Sequence, residues 1–83
     1  QTLRGQIVDD VTKTPLIGVN VSVLGTDPIL GSASDAEGNF RIDNVPLGRQ
    51  TIKISYVGYE EQTIPNVVVT AGKEVILTIA LTE

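Results

Sequence analysis

Four residue types are missing from this chain of 83 residues: cysteine, histidine, methionine and tryptophan. Without cysteine there is no disulfide, no zinc–thiolate site and no thiol nucleophile, and the redox compartment stays undetermined. Without histidine the usual general base is missing, which excludes Ser-His-Asp catalysis, Cys-His catalysis and histidine-bound metals. The sequence therefore predicts that the chain is not an enzyme, and it assigns no catalytic, cofactor-binding or metal-binding residue.

Positive charge and long apolar runs are also scarce. The chain has 6 lysines and arginines against 10 acidic residues, for a net charge of −4, and the basic residues are scattered. Nucleic acid binding needs clustered basic residues, so nucleic acid is not an expected partner. The longest clear apolar runs, 67–69 and 75–77, are far shorter than the roughly 20 residues of a membrane-spanning helix. We therefore expect no direct insertion of this segment into a membrane.

The residues that are abundant predict strands. Valine, isoleucine, leucine and threonine dominate, with glycine, proline, asparagine and aspartate at short intervals between them, which is typical of an all-β sandwich. A chain of this size forms one modest core, so we predict a single domain over residues 1–83 with about six or seven strands and no helix. The clearest inward faces are Val19, Val21 and Val23; Ile52, Ile54 and Tyr56; and Val75, Leu77, Ile79 and Leu81.

The turns are predicted from glycine and proline. Residues 26–28 form a predicted turn, and Asn44–Gly48 form a second, tight turn in which Gly48 adopts a positive φ. Gly58 is interpreted as a bulge or bend that interrupts the ladder. The run 60–65 is interpreted as an edge strand, because Pro65 has no backbone N–H to donate to a neighbour.

An acidic turn in the middle of the chain is the first candidate ligand site. The loop Asp35–Asn39 carries oxygen-bearing side chains around Gly38, as a calcium loop does, but no later carboxylate completes the 6–8 oxygens that calcium takes. In the alternative interpretation Asp35 bonds the backbone of its own turn, Gly38 or Asn39 is left-handed, and Phe40 fills the core. The sequence favours the turn, and whether the loop also binds a cation stays open.

Paired carboxylates are the second candidate. Asp9–Asp10 and Glu60–Glu61 are neighbours in sequence, and in extended chain their side chains point to opposite faces rather than converging. We interpret both pairs as solvated surface charge.

An exposed aromatic ring is the third candidate, because sugar-binding surfaces use such rings. Phe40 and Tyr56 fall on inward faces, which leaves Tyr59 as the only plausible exposed ring. We interpret Tyr59 as packing at a strand end with its hydroxyl bonded to backbone, with contact to a glycan as the alternative.

A series of short motifs runs in order along nearly the whole chain: Gly5–Asp9, Thr14–Val21, Gly25-Thr26, Ser34–Phe40, Val45–Gly48 and Ser55–Tyr59. Together these motifs resemble the carboxypeptidase regulatory-like domain family. The segment Tyr56–Tyr59, read as Tyr-Val-Gly-Tyr, is similar to the version at the N-terminus of TonB-dependent outer-membrane transporters of the starch-utilisation type. Ile17, where a second proline is frequent, and Asp27-Pro28 depart from the common pattern without affecting the fold.

The resemblance implies a transthyretin-like, prealbumin-like Greek-key β-sandwich of about seven strands with an accessory role and no catalysis. The enzymatic transthyretin relatives depend on histidine and a C-terminal motif that this chain lacks. The implied function is a non-catalytic accessory or interaction domain of an outer-membrane TonB-dependent nutrient transporter, with a glycan as the expected nutrient. The alternative is a spacer, adhesion or glycan-binding module of a secreted or surface protein.

The resemblance also implies a location and partners. We expect the cell envelope, at the periplasmic face of the outer membrane. The expected partners are the remainder of the same polypeptide, namely the plug and barrel of a transporter, or other envelope proteins. Because the chain starts at Gln1 without methionine or a signal peptide, we expect it to be a mature or excised segment of a longer protein.

Overall fold

The computed structural model describes residues 1–26 and 29–83, and within these ranges it contains seven strands and no helix. None of the described residues therefore forms a helix long and apolar enough to cross a membrane. The predicted all-β sandwich is confirmed, while Asp27 and Pro28 of the predicted 26–28 turn lie outside the described residues. The strands are β1 (Leu3–Asp9), β2 (Asn20–Leu24), β3 (Leu30–Ala33), β4 (Asn39–Ile42), β5 (Gly48–Ser55), β6 (Gln62–Val69) and β7 (Val75–Leu81).

The strands form two sheets. One sheet has three strands in the order β4-β1-β7, and the other has four in the order β3-β2-β5-β6. All neighbouring strands are antiparallel except β1 and β7, which pair in parallel from Leu3 opposite Val75 to Asp9 opposite Leu81. A parallel pair needs a long crossover connection. Here the connection comprises residues 10–74, so the first and last strands of the chain lie next to each other in the three-stranded sheet.

Both sheets bury one face, as the alternating pattern predicts. The valines of β2 and the isoleucines of β5 are buried, whereas Tyr56, Val75 and Leu77 are half-buried. Outward positions carry Arg4, Gln6 and similar polar residues. The buried core consists of Leu3, Ile7, Val19, Val21, Val23, Phe40, Ile42, Val45, Ile52, Ile54, Val67, Val69, Ile79 and Leu81.

Gly5 leaves room in the core for the ring of Phe40. Gly5 lies in the middle of β1, opposite Phe40 on β4 and Leu77 on β7. A Cβ at Gly5 would collide with the carbonyl oxygen of Leu77 and would lie 2.9 Å from Cε1 of Phe40. The phenylalanine ring therefore occupies the space that a side chain on the central strand would take, which confirms that Phe40 fills the core.

The irregularity in the four-stranded sheet lies in a different place from the one predicted. Pairing between β5 and β6 shifts between Gln50 and Ile52, so that Pro65 and Asn66 together face Thr51. Asn66 has a φ of 59°, as a distorted bulge residue can. The ladder breaks here because Pro65 cannot donate a hydrogen bond. The expectation that β6 is an edge strand is confirmed.

The prediction that Gly58 forms a bulge in the ladder is wrong, although its bend is real. Gly58 has a φ of 86° and lies in a turn closed by the Tyr59 N–H, which donates to the Tyr56 carbonyl at 3.2 Å. This turn comes after β5 has ended at Ser55, so no ladder remains for it to interrupt. Gly48 has the predicted positive φ, 104°.

We expect Phe40→Ala to lower the free energy of unfolding by about 3–5 kcal/mol, the usual cost of removing a buried phenylalanine. The loss is large for a small domain and is measured by urea denaturation. Val68→Ala is the matched control, because Val68 is exposed on β6 and a surface change of this kind usually stays within about 0.5 kcal/mol. A near-neutral Phe40→Ala would show that the ring does not carry the core.

Candidate functional site

Asp9 is one of two buried polar residues in the described part of the chain, the other being Ser34. Asp9 is the last residue of β1, on the inward face with Leu3 and Ile7, and only 8% of it is exposed. One carboxylate oxygen, Oδ1, accepts hydrogen bonds from the backbone N–H groups of Val11 at 2.8 Å and Thr12 at 2.9 Å. The other, Oδ2, accepts from the hydroxyl of Tyr59 at 2.6 Å. We call these three bonds the Asp9 latch.

The interpretation of Asp9 as solvated surface charge is therefore wrong. Its three donors replace the water that a buried carboxylate would otherwise need. The interpretation is confirmed for Asp10, which is exposed and lies 3.6 Å from the Lys13 ammonium, and for the exposed Glu60 and Glu61. The sequence does contain a sign that Asp9 is buried. Asp9 lies an even number of residues after Leu3 and Ile7, so in an extended strand it shares their inward face.

The latch fixes the charge of both of its side chains. The Tyr59 hydroxyl, followed by the N–H groups of Thr12 and Val11, lowers the pKa of Asp9 from 3.8 to about 2. The same bond to the carboxylate, together with burial, raises the pKa of Tyr59 from 10.0 to about 12. At neutral pH the carboxylate stays ionised and the phenol stays neutral, so the pair suits structural support and not acid–base chemistry.

The two tyrosines pack together beside the latch. Their ring centroids are 5.5 Å apart and the planes are tilted by 36°. Tyr56 also lies next to the exposed Gly18, where an added Cβ would lie 4.0 Å from its Cε1. Tyr59 is half-buried, so the prediction that it packs structurally is confirmed, but its hydroxyl bonds a carboxylate and not backbone. The ring is therefore only partly available to a glycan.

The acidic turn has the hydrogen bonds of the favoured interpretation. Oδ1 of Asp35 accepts from the N–H groups of Glu37 and Asn39, both at 2.9 Å, and Gly38 takes the left-handed conformation with a φ of 78°. The carbonyl of Gly38 accepts from the Ile7 N–H at 2.8 Å, which docks the turn on β1. Across residues 1–26 and 29–83, no three acidic side chains converge as a metal site would require.

Ser34, immediately before this turn, has a structural role that the sequence did not indicate. It is buried, its hydroxyl donates to the Leu16 carbonyl at 2.6 Å, and its oxygen accepts from the Val19 N–H at 2.9 Å. A lone serine at a predicted turn carries no pattern that identifies such bonds. Throughout the described ranges, every buried side-chain polar atom has a partner, so none is left pointing at a ligand.

An open depression of about 640 Å³ is lined by residues on the outer face of the three-stranded sheet, Arg4 and Arg41 among them, and by Ser32, Ala33 and Asp35. Arg4 and Arg41 lie opposite each other across β1 and β4. Arg4 Nε contacts Glu74 Oε2 at 2.6 Å, and Arg41 Nε contacts Asp43 Oδ1 at 2.9 Å. The Arg41 bond, with a second from the Thr2 hydroxyl, lowers the pKa of Asp43. Both arginines of this face are thus already paired with acids.

Sequence comparison relates this architecture to known proteins. The profile of the carboxypeptidase regulatory-like domain matches residues 2–82. The chain is 41% identical over 76 residues to the TonB-dependent receptor SusC of Bacteroides thetaiotaomicron, covering 92% of this chain and 7% of that protein. It is 40% identical over 70 residues to cellulosomal-scaffolding protein B of Acetivibrio thermocellus, covering 80% of this chain and 9% of that protein. The chain thus spans less than a tenth of each relative.

Structural comparison gives similar neighbours. A chain from a type II cohesin–X–dockerin complex of Acetivibrio cellulolyticus matches with a TM-score of 0.81 and 32% identity, covering 98% of this chain and 56% of that one. A 9R-lipoxygenase from Cyanothece PCC8801 matches with a TM-score of 0.56 and 15% identity, covering 99% of this chain and 16% of the enzyme. At that identity the second likeness concerns the fold alone.

We expect Tyr59→Phe to lower the melting temperature at pH 7, because it removes the hydroxyl that bonds Asp9. The folded pKa of Asp9 lies below its unfolded value, so its stabilisation is complete above pH 3.8 and is lost as the pH falls from 3.8 to about 2. The folded pKa of Tyr59 is raised, so its stabilisation is complete below pH 10 and is lost between 10 and about 12. The difference between wild type and variant should therefore shrink in both windows.

The measurements for this prediction are thermal unfolding at pH 7 and urea denaturation across the pH range. Tyr56→Phe is the matched control, because the Tyr56 hydroxyl makes no hydrogen bond to the described residues, whereas the Tyr59 hydroxyl does. Equal melting temperatures for Tyr59→Phe and wild type at pH 7 would contradict the latch.

We expect calcium to leave the melting temperature unchanged, because the backbone of the acidic turn already uses Oδ1 of Asp35. A bound ion would stabilise the folded state by about 2.7 kcal/mol at a hundredfold excess over its dissociation constant. Thermal unfolding with calcium and with chelator tests this, and magnesium serves as the control cation. A calcium-specific rise that Asp35→Asn abolishes would establish a cation site in the loop.

Proposed function

The chain belongs to the carboxypeptidase regulatory-like domain family, and from this we propose that residues 1–83 are a non-catalytic accessory domain of a TonB-dependent outer-membrane transporter. The proposed cargo is a glycan, and the proposed location is the periplasmic face of the outer membrane. There the domain would position the plug of the transporter or contact envelope proteins. The observation that carries this proposal is the similarity to the receptor SusC along almost the whole chain.

The arrangement of polar groups supports a role without catalysis. The Asp9 latch holds an ionised carboxylate and a neutral phenol well away from their titration ranges at neutral pH. The carboxylate of the acidic turn bonds backbone, and the two arginines of the outer face are paired with acids. Catalytic sites instead hold groups with pKa values close to the working pH. A partner would therefore contact surface groups that these internal bonds do not use.

The topology supports a role as a connecting unit. Because β1 and β7 are parallel, the chain enters at one end of the sandwich and leaves at the other. The parallel stretch from Leu3 to Asp9 spans about 20 Å at roughly 3.3 Å per residue, and it separates the two points where neighbouring segments would attach. An accessory domain placed between two parts of a transporter would hold them at a fixed spacing.

A second candidate is an interaction or spacer module of a secreted or cell-surface protein. The similarity to a cellulosomal-scaffolding protein and the close structural match to a chain of a cohesin–X–dockerin complex favour it. In this alternative the same separation of chain ends would space neighbouring modules.

The complete reading frame and an in-frame deletion separate the two candidates. The transporter proposal expects a long tract of amphipathic strands after Glu83. Deleting residues 1–83 from that parent should reduce glycan uptake while the amount of protein in the outer membrane stays unchanged. Further small sandwich modules after Glu83 would establish the second candidate instead, and normal uptake after the deletion would contradict an accessory role in transport.

A further inference from the structure

The edge strands of the sandwich differ in how well they are protected against pairing with another chain. The edges are β3 and β6 in one sheet and β4 and β7 in the other. An edge strand presents unpaired backbone groups, and proteins usually protect it by making it short, charged, bulged or interrupted by proline. β3 and β4 have only 4 residues each, and β6 contains Pro65 and the bulge at Asn66. These three edges therefore carry such a protection.

β7 carries none of these protections. It has 7 residues, Val75–Leu81, without proline or a charged side chain, and its pairing with β1 is continuous. Among its outward side chains, Ile76 is 64% exposed. A long, regular and apolar edge of this kind is the type that pairs with another strand.

The direction of the bonds between β7 and β1 shows which backbone groups face the free edge. The Val75 N–H donates to the Thr2 carbonyl at 3.1 Å, on the β1 side. Successive residues of a strand direct their backbone groups to alternate sides, so Ile76, Thr78 and Ala80 direct theirs away from β1. Within the described part of the chain, the N–H and C=O groups of Ile76 and Thr78 have no partner.

The free part of this edge is short and has a defined centre. At Ala80 the edge is closed, because the Gln62 side chain, from β6, donates to the Ala80 carbonyl at 2.7 Å. In the other direction the strand is open as far as Glu74, the residue before β7. We call residues 74–78 the open edge, and Ile76 is its middle residue.

The open edge is complementary to itself, which favours a second copy of the chain as its partner. Two copies related by a twofold axis pair antiparallel, and pairing over residues 74–78 places Ile76 opposite Ile76 of the second copy. The exposed side chain of each copy is then covered by the other. Thr78 lies opposite Glu74, whose carboxylate can accept a hydrogen bond from the threonine hydroxyl. Like charges do not meet, because Glu74 is the only charged residue of this stretch.

The backbone groups match in the same register. Ile76 bonds Ile76 of the second copy, and Thr78 bonds Glu74, each through a pair of N–H···O=C bonds as in any antiparallel ladder. On the inward face the half-buried Val75 lies beside Leu77 of the second copy. The pairing joins the two three-stranded sheets into one sheet of six strands, in the order β4-β1-β7-β7-β1-β4.

We propose that two copies of this chain associate through the open edge of β7, by antiparallel pairing centred on Ile76. The Asp9 latch and the acidic turn take no part in this contact, so each copy keeps the fold described above. A pair of short strands is a smaller contact than a standard interface of about 1,600 Å², so the dimer is weak and forms at high protein concentration. The association does not depend on the proposed role in transport.

Sedimentation of the 83-residue chain from micromolar to millimolar concentration tests this proposal. We expect a monomer–dimer equilibrium. Ile76→Lys should raise its dissociation constant at least about tenfold, because two lysines would face each other at the axis. Val68→Lys is the charge-matched control and should leave the constant unchanged, since Val68 is 56% exposed on the edge strand of the other sheet.

Two further variants test the register and the backbone bonds. Ile76→Glu should weaken the dimer as Ile76→Lys does, whereas an equimolar mixture of the two should associate, because a lysine would then face a glutamate. Thr78→Pro removes an N–H that does not bond β1, so it should raise the dissociation constant at least about tenfold while the monomer keeps its fold.

A chain that stays monomeric at millimolar concentration would overturn the proposal. A dimer that Ile76→Lys leaves unchanged, or that Val68→Lys weakens equally, would also overturn it, because a different surface would then hold the copies together. The melting temperature of each variant at micromolar concentration verifies that it folds. If Thr78→Pro does not fold, the mixture of the Ile76→Lys and Ile76→Glu variants still decides the register, and failure of that mixture to associate would contradict the pairing centred on Ile76.

Discussion

The hydrogen bond from the Tyr59 hydroxyl to the Asp9 carboxylate joins two sheets that no disulfide connects. Asp9 ends the central strand of the three-stranded sheet, and Tyr59 lies in the turn that links β5 and β6 of the other sheet. The same carboxylate receives the N–H groups of Val11 and Thr12, so one side chain holds the end of a strand, the following loop and the opposite turn. The tyrosine pair packs beside this contact.

The polar groups that could have formed a reactive site are used to build the domain. Asp35 shapes its own turn, Ser34 bonds two backbone groups, and the arginines of the outer face pair with acids. The exposed surface carries polar side chains together with apolar ones, among them Val68 on β6 and Ile76 on β7. Such a surface is consistent with a domain that works through contact with other protein segments, as both proposed functions require.

Local sequence patterns were sufficient to predict the features that depend on residues close together in the sequence. The faces of β2, β5 and β7 follow from strict alternation of branched apolar residues, and the acidic turn follows from the backbone needs of Asp35 and Gly38. The Asp9 contact spans 50 residues and arises only when the sheets pack, so composition and spacing could not reveal its partner. The bulge at Pro65–Asn66 was missed because Gly58 is the stronger local signal, and only the register with β5 shows where the ladder breaks.

The parallel pairing of β1 with β7 has a mechanical consequence. If the two ends of the chain were pulled apart, the force would run along these neighbouring strands in opposite directions. Their hydrogen bonds, between the stretches Leu3–Asp9 and Val75–Leu81, would be loaded in shear and would have to break together and not one after another. Forced unfolding is governed by the rate of the unfolding step. In this geometry the unfolding step requires the hydrogen bonds along the whole length of the β1–β7 pair to break. This strand arrangement therefore suits a domain that bears tension between its two chain ends.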